Sequence, residues 1–385
     1  MTQTKPVWLP EVQAFRRQLH QHPELSGAEE QTALRVLEKL EHLQPSQIFT
    51  GLGGHGVAAV FDSGRPGPTL LFRTELDALP IEEVNEFAYR STNPGVSHKC
   101  GHDGHMAVMM GFAHYLQGHP PGKGRVLLLF QPAEEIGAGA QWMLDDPGFD
   151  ALLPIDHAFA FHNLPGFPSG QIVCREGPFS AAVQSLIVRL HGKTAHAGEP
   201  ENGTNPAMAI SEIIKASQTA CQPDRDKEGF AILTPVHINL GEVAYGVSAG
   251  YGEIHLTIRT WTEAEMEKLS QRLLDYIGRV SKKYGLKAET EWTNIFRTNR
   301  NDPEMAALIE AAAEAEGFSY HTAPYAFKWG EDFGAFTQQY RGAMFGIGSG
   351  EDHPALHNPD YDFPDEIIPV GVRMYTRLCE AILNH

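Results

Sequence analysis

Apolar and polar positions along the chain follow two different rhythms. Residues 10–43 repeat apolar positions at helical spacing, with Phe15, Leu19, Leu34, Val36, Leu37 and Leu40 around a His-Pro-Glu-Leu-Ser turn. Two short apolar runs follow, at residues 69–72 and 126–130. Each is bounded by glycine or proline and is short enough for a buried strand. Residues 106–116, between them, are long enough for a helix, and a further apolar run at 158–161 closes this part. Strands alternating with helices predict an α/β domain with a mainly parallel, largely buried central sheet flanked by helices.

From about residue 182 the rhythm changes. Residues 183–190 alternate in part, as an antiparallel strand with one wet face does. Residues 205–216 read as helix, and 231–240 and 253–260 as strands. Residues 262–284 form a charged amphipathic helix with Leu269, Leu273, Leu274 and Ile277 on one stripe, and 288–292 suggest one more strand. The order β-α-β-β-α-β is ferredoxin-like. Residues 182–293 are therefore expected to be a small α+β domain inserted into a larger one built from 1–181 and 294–385. A length of 385 residues suits two domains.

Composition narrows the partners. Hydrophobic residues at 42% and charged residues at 20% are ordinary for a globular chain. A formal net charge of −18, with no basic run, argues against nucleic acid or an anionic membrane as partner. No segment reaches the ~20 apolar residues of a membrane span, and the first residues lack an apolar signal core. A cytoplasmic protein is expected, in which Cys100, Cys174, Cys221 and Cys379 are free thiols or ligands rather than disulfides.

The sharpest chemical signal is Cys100-Gly101-His102-Asp103-Gly104-His105. Thiolate and imidazole are favoured ligands of zinc-like ions. If this stretch is extended, Cys100 and His102 point to one side and can share a metal centre. The alternative is a core cysteine in a histidine-rich loop. Glu134 and Glu135 follow the apolar run 126–130, where α/β sheets place their sites. Adjacent glutamates project differently, so one can bind metal while the other acts as general base on water. The alternative is two solvated acids starting a helix. His162 ends the run 158–161, and His357 lies in Ala-Leu-His-Asn-Pro-Asp-Tyr-Asp-Phe. Either alone could be an ordinary histidine; the case rests on the set.

The strings RRQLHQHPELS (16–26), RTELDALPI (73–81), HKCGHDGHMA (98–107), FQPAEEIGAGA (130–140), HGKTAHAGEP (191–200), WGEDFGAF (329–336) and ALHNPDYDF (355–363) together resemble the aminoacylase-type metallopeptidases. The resemblance is to the branch with hippurate hydrolase, N-acetyldiaminopimelate deacetylase and indole-3-acetyl-amino-acid hydrolase. It implies metal ligands at Cys100, His102, Glu135, His162 and His357, with Glu134 as general base. It implies two divalent ions of zinc, manganese or cobalt type, ~3.5–4 Å apart, and a small N-acyl amino acid as substrate. Asp77 would orient the site, and His196 would stabilise the oxyanion, often across a dimer interface. Arg259 would pair with a substrate carboxylate, a simple surface ion pair being the alternative. A homodimer through residues 182–293 is also implied.

Two departures stand out. Relatives usually show aspartate where this chain has Glu75. Where they carry an Asn-Val-Ile-Pro turn, this chain reads Gly246-Val247-Ser248-Ala249. Competing readings are a cysteine hydrolase with Cys100 as nucleophile, a catalytically silent metal-carrying protein, and the same centre used for deamination or dipeptide cleavage.

Overall fold

The computed structural model describes residues 6–227 and 229–384. Their backbone divides into two compact units. The larger holds the described residues up to Phe179, together with Asn299–Pro324 and the described residues from Asp332 onward. The smaller holds Ser180–Thr298 and Tyr325–Glu331. Tyr325–Glu331 thus belongs to the smaller unit, whereas the sequence pattern assigned it to the larger one. The segment is too short to carry a periodicity of its own, and its membership is set by pairing: Ala181 N donates to the Phe327 carbonyl at 2.9 Å.

The helical stretch near the N-terminus is two helices, Leu9–Gln21 and Glu30–His42, separated at the His-Pro-Glu-Leu-Ser turn. The larger unit is built on eight strands in the order Gln47–Leu52, Gly56–Asp62, Arg125–Gln131, Thr69–Glu75, His157–Pro165, Arg341–Gly350, Ile172–Cys174 and Tyr320–Thr322. The four central strands, from Arg125–Gln131 to Arg341–Gly350, pair in parallel. The pairings of Gln47–Leu52, Gly56–Asp62 and Ile172–Cys174 with their inner neighbours are antiparallel. Thr69–Glu75 is buried at every position, as a strand covered on both faces must be. Helix His102–Gly118 is buried almost all round, from His102 to Ala113, so it runs through the core instead of over the surface.

The smaller unit is an antiparallel sheet in the order Ala231–Leu240, Tyr251–Thr260, Ala182–His191, Lys287–Phe296. With helices Ala207–Thr219 and Glu263–Lys283 it has the expected ferredoxin-like sequence of elements. Tyr251–Thr260 alternates buried and half-buried residues without a break. Its inner residues Ile254, Leu256 and Ile258 join a core with Leu269, Leu273 and Ile277 of the longer helix. Thr262 caps that helix by accepting from the Glu265 amide. Among the described residues no helix is long and apolar enough to cross a membrane.

Candidate metal centre

The central parallel strands deliver several chemical groups to one end of the sheet. Asp77 lies two residues beyond Thr69–Glu75, Glu134 and Glu135 follow Arg125–Gln131, and His162 lies in the carboxyl-terminal half of His157–Pro165. Clustering outside the carboxyl ends of strands is the rule for open α/β sheets. Cys100 and His102 reach the same place, though not as an extended pair. His102 is the first residue of helix His102–Gly118, and Gly101 before it has a left-handed φ of 98°. A β-carbon at Gly101 would lie 2.7 Å from Asn163 Oδ1, so glycine is required both by the turn and by the close approach. The tight turn, not strand alternation, brings Cys100 and His102 together.

Glu134 and Glu135 sit in a turn and not in a helix. Ala133 enters that turn with a φ of 53°, rare for a residue with a side chain. The Ala133 amide is tied to Glu29 Oε1 at 2.8 Å and the Glu135 amide to Asp77 Oδ2 at 2.9 Å. Any side chain at Gly139 would collide with the Pro132 carbonyl, which closes the other end of the loop. His357 is also left-handed, with φ 66°, and its amide donates to the Lys99 carbonyl at 2.8 Å. Such conformations persist only where surrounding bonds enforce them.

Donor atoms converge in overlapping groups: Cys100, His102 and His162; Cys100, Glu135 and His357; His102, Glu134 and Glu135. Within each group they lie within 4.8 Å of one another. His102 Nδ1 donates to the Asp77 carbonyl at 2.9 Å, and His162 Nδ1 to the Asn163 carbonyl at 2.8 Å. Because a carbonyl can only accept, both rings turn Nε2 toward the cluster, the arrangement of a ligand histidine held by an outer partner. His162 Nε2 lies 3.4 Å from Cys100 Sγ. His102 Nε2 is buried with no hydrogen-bond partner, 3.8 Å from Glu135 Oε1 and 3.9 Å from Glu134 Oε2. His357 Nε2 is 3.8 Å from Glu135 Oε2. Spacings near 4 Å between good ligands, with a buried imidazole nitrogen unsatisfied, fit cations held between them.

Electrostatics agree. Burial, then the charges of Glu135, Glu134 and Glu75, push the Cys100 thiol well above its ordinary value. A catalytic thiol needs the opposite shift, so the surroundings disfavour Cys100 as a nucleophile and suit a thiolate formed only against a cation. Burial works against charge on His102, but Asp77, Glu75 and Glu135 outweigh it and raise its pKa to about 10.

The remaining expected site residues lie in the smaller unit. His196 is exposed on the short strand Ala195–His196, paired with Val247–Ser248. The Gly198 amide donates to His196 Nδ1 at 3.0 Å, which leaves the proton of the neutral ring on Nε2. Segment 246–248 is thus hydrogen-bonded alongside His196. Arg259 is half-buried and donates from Nη1 to the Lys328 carbonyl at 2.6 Å. Among the described residues no carboxylate pairs with it, so the surface ion pair considered from sequence is not formed. Burial alone lowers its pKa.

Sequence reasoning assigned no role to Arg73, His105, Gln131, Asn163, Asp332 or Tyr361, all of which form buried polar contacts beside the donors. The signal available was polar residues at the ends of short apolar runs, Arg73 and Glu75 after 69–72 and Gln131 after 126–130.

Comparison with known proteins gives a consistent picture. Residues 71–381 match peptidase family M20/M25/M40. N-acetyl-L-cysteine deacetylase of Bacillus subtilis is 33% identical over 360 residues, covering 92% of this chain and 84% of that one. N-acetyldiaminopimelate deacetylase of Lactobacillus helveticus is 31% identical over 363 residues, covering 91% and 92%. The crystal structure of a dinuclear metal-binding M20 peptidase from Bacillus subtilis superposes with a TM-score of 0.83 at 27% identity, covering 98% of this chain and 99% of that one.

Proposed function

The chain belongs to peptidase family M20/M25/M40, and on that basis we propose that it is a metal-dependent amidohydrolase that cleaves the amide bond of an N-acyl amino acid. The observation that carries the reading is the unpartnered, buried His102 Nε2 facing Glu134 and Glu135 within a Cys, His and Glu donor set. Cys100, His102, Glu135, His162 and His357 would hold two divalent ions of zinc, manganese or cobalt type. When bound, such ions supply Lewis acidity to the scissile carbonyl and acidity to the attacking water. The dinuclear relative supports the number.

Glu134, buried and on a constrained turn, takes the proton of the attacking water and delivers it to the leaving amine. The water oxygen ends in the new carboxyl group; one water proton reaches the amine nitrogen through Glu134, and the second, released as that carboxyl ionises, is taken up by the departing amine or by solvent. Asp77 positions two ligands at once, His102 through its carbonyl and Glu135 through its carboxylate. His196, with Nε2–H free to donate, suits a developing oxyanion. Arg259, a half-buried cation with no acid beside it among the described residues, suits the carboxylate of the amino acid. Relatives named for N-acetylcysteine and N-acetyldiaminopimelate favour a short acyl group.

Residues 182–293 are read as a lid and dimerisation domain. In support, Ala231–Leu240 is an edge strand whose Val236, Ile238 and Leu240 are exposed, followed by almost fully exposed Val243 and Tyr245. A second copy pairing there would cover them, and sedimentation should show a dimer. The four free cysteines suit a reducing cytoplasm.

The test is a panel of acetyl, benzoyl and indole-acetyl amino acids, assayed with and without chelator and with manganese, zinc or cobalt restored. Cleavage that chelator abolishes and metal restores supports the reading. No cleavage despite two bound ions would redirect it to deamination or dipeptides. No bound metal would overturn it.

A further inference from the structure

Beneath the donor cluster runs a second, fully buried set of side chains, drawn from the segments that carry Asp77, His102, His162 and His357. Glu75 is two residues from Asp77 on the same chain segment, His105 one helical turn from His102, Asn163 adjacent to His162, and Tyr361 four residues from His357. They are bonded in series. Glu75 Oε2 accepts from His105 Nδ1 at 2.8 Å, His105 Nε2 shares a hydrogen bond with Asn163 Oδ1, and Asn163 Nδ2 donates to the Tyr361 hydroxyl. The other Glu75 oxygen is bonded to Arg73. Arg73 Nε donates to Gln131 Oε1 at 2.8 Å, and Gln131 holds Asp332 at 2.8 and 2.9 Å. Gln131 ends the strand that leads to Glu134 and Glu135. Every member from Arg73 to Tyr361 is 1% exposed or less. The His105 ring packs edge-on against His162, with centroids 4.8 Å apart, and lies 5.5 Å from the ring of His102.

We propose that the chain Arg73–Glu75–His105–Asn163–Tyr361 is a positioning network that sets the spacing of the ligand-bearing segments, and that the length of Glu75 is matched to it. The network touches no reacting atom. It acts by fixing His105, which supports the rings of His102 and His162, and by joining the segment of His357 to that of His162. An aspartate at position 75 would be one methylene shorter. On a strand buried along its whole length it cannot shift to keep both Arg73 and His105. Outer partners of metal ligands influence affinity strongly, because a ligand free to rotate must be ordered when the ion binds. The inference rests on the dinuclear reading above.

The experiment measures metal affinity and the visible spectrum of the cobalt(II)-loaded protein for wild type, Glu75→Asp and Tyr361→Phe. Thermal melts of each metal-free chain provide the control. The expected result is a roughly ten- to hundred-fold loss of affinity for at least one ion, with shifted cobalt bands, in both variants. Tyr361→Phe keeps ring volume and decides the matter should Glu75→Asp fail to fold. Wild-type affinity and an unchanged spectrum in a folded variant would overturn the network. Failure of the wild type itself to bind two ions would overturn the dinuclear reading instead.

Discussion

Asp77 and Glu135 are joined across two strand ends by a 2.9 Å hydrogen bond from the Glu135 amide to Asp77 Oδ2. Ser26 Oγ donates to the same oxygen at 2.7 Å, and the Asp77 carbonyl accepts from His102 Nδ1. One fully buried residue therefore orients a histidine and a glutamate of the candidate centre. Asp77→Ala should retain the fold and lower metal affinity by roughly 10- to 100-fold, the usual effect of removing an outer partner. Competition with a metallochromic chelator measures it. Unchanged affinity would remove Asp77 from the positioning role.

Glu134 and Glu135 are neighbours with separate expected tasks. Glu134→Gln should keep both ions and lose ~100-fold or more of kcat, the range attributed to general acid–base catalysis. Glu135→Gln should instead lose metal. Elemental analysis beside steady-state kinetics separates the two, and equal metal loss in both variants would merge their roles.

Arg259 carries charge with no acid beside it among the described residues. Arg259→Ala should raise KM for an N-acyl amino acid by about 10- to 100-fold, since hydrogen bonds to charged groups contribute ~1.5–3 kcal/mol. The same substitution should leave KM almost unchanged for the corresponding amide, which lacks the carboxylate. A similar rise with both substrates would argue for a structural role.

His20 predicts how stability depends on pH. Burial works against a charged imidazole there, but Asp103 at 2.8 Å and Glu83 at 2.9 Å outweigh it and raise the pKa from 6.5 to about 9. A raised pKa means that the folded state holds its proton more tightly than the unfolded chain. The stabilisation is complete below about pH 6.5 and is lost as pH rises through about 9. Its size is on the order of a few kcal/mol. Glu83 behaves oppositely. Burial opposes its charge, yet His20 and Lys99 lower its pKa to about 2, so its contribution is lost as pH falls from 4.5 toward that value. Thermal melts from pH 6 to 10 should fall for the wild type and flatten for His20→Gln. An equal alkaline fall in the variant would assign it to other groups.

Much of this protein follows from local sequence. The small-domain elements are legible because Leu269, Leu273 and Ile277 repeat at helical spacing and Ile254, Leu256 and Ile258 alternate, and both periodicities are properties of neighbouring residues. Candidate ligands are legible because Cys100, His102 and the Glu134–Glu135 pair are chemically conspicuous within short motifs. Tertiary structure decided what depends on residues far apart in sequence. It turned Cys100 and His102 toward each other through a left-handed glycine, left Arg259 without an acid among the described residues, and drew Tyr325–Glu331 into the smaller unit. It also bonded Glu75 to His105 and Asn163 to Tyr361. A hydrogen-bond partner is chosen by distance and angle in space, and no periodicity along the chain encodes that choice.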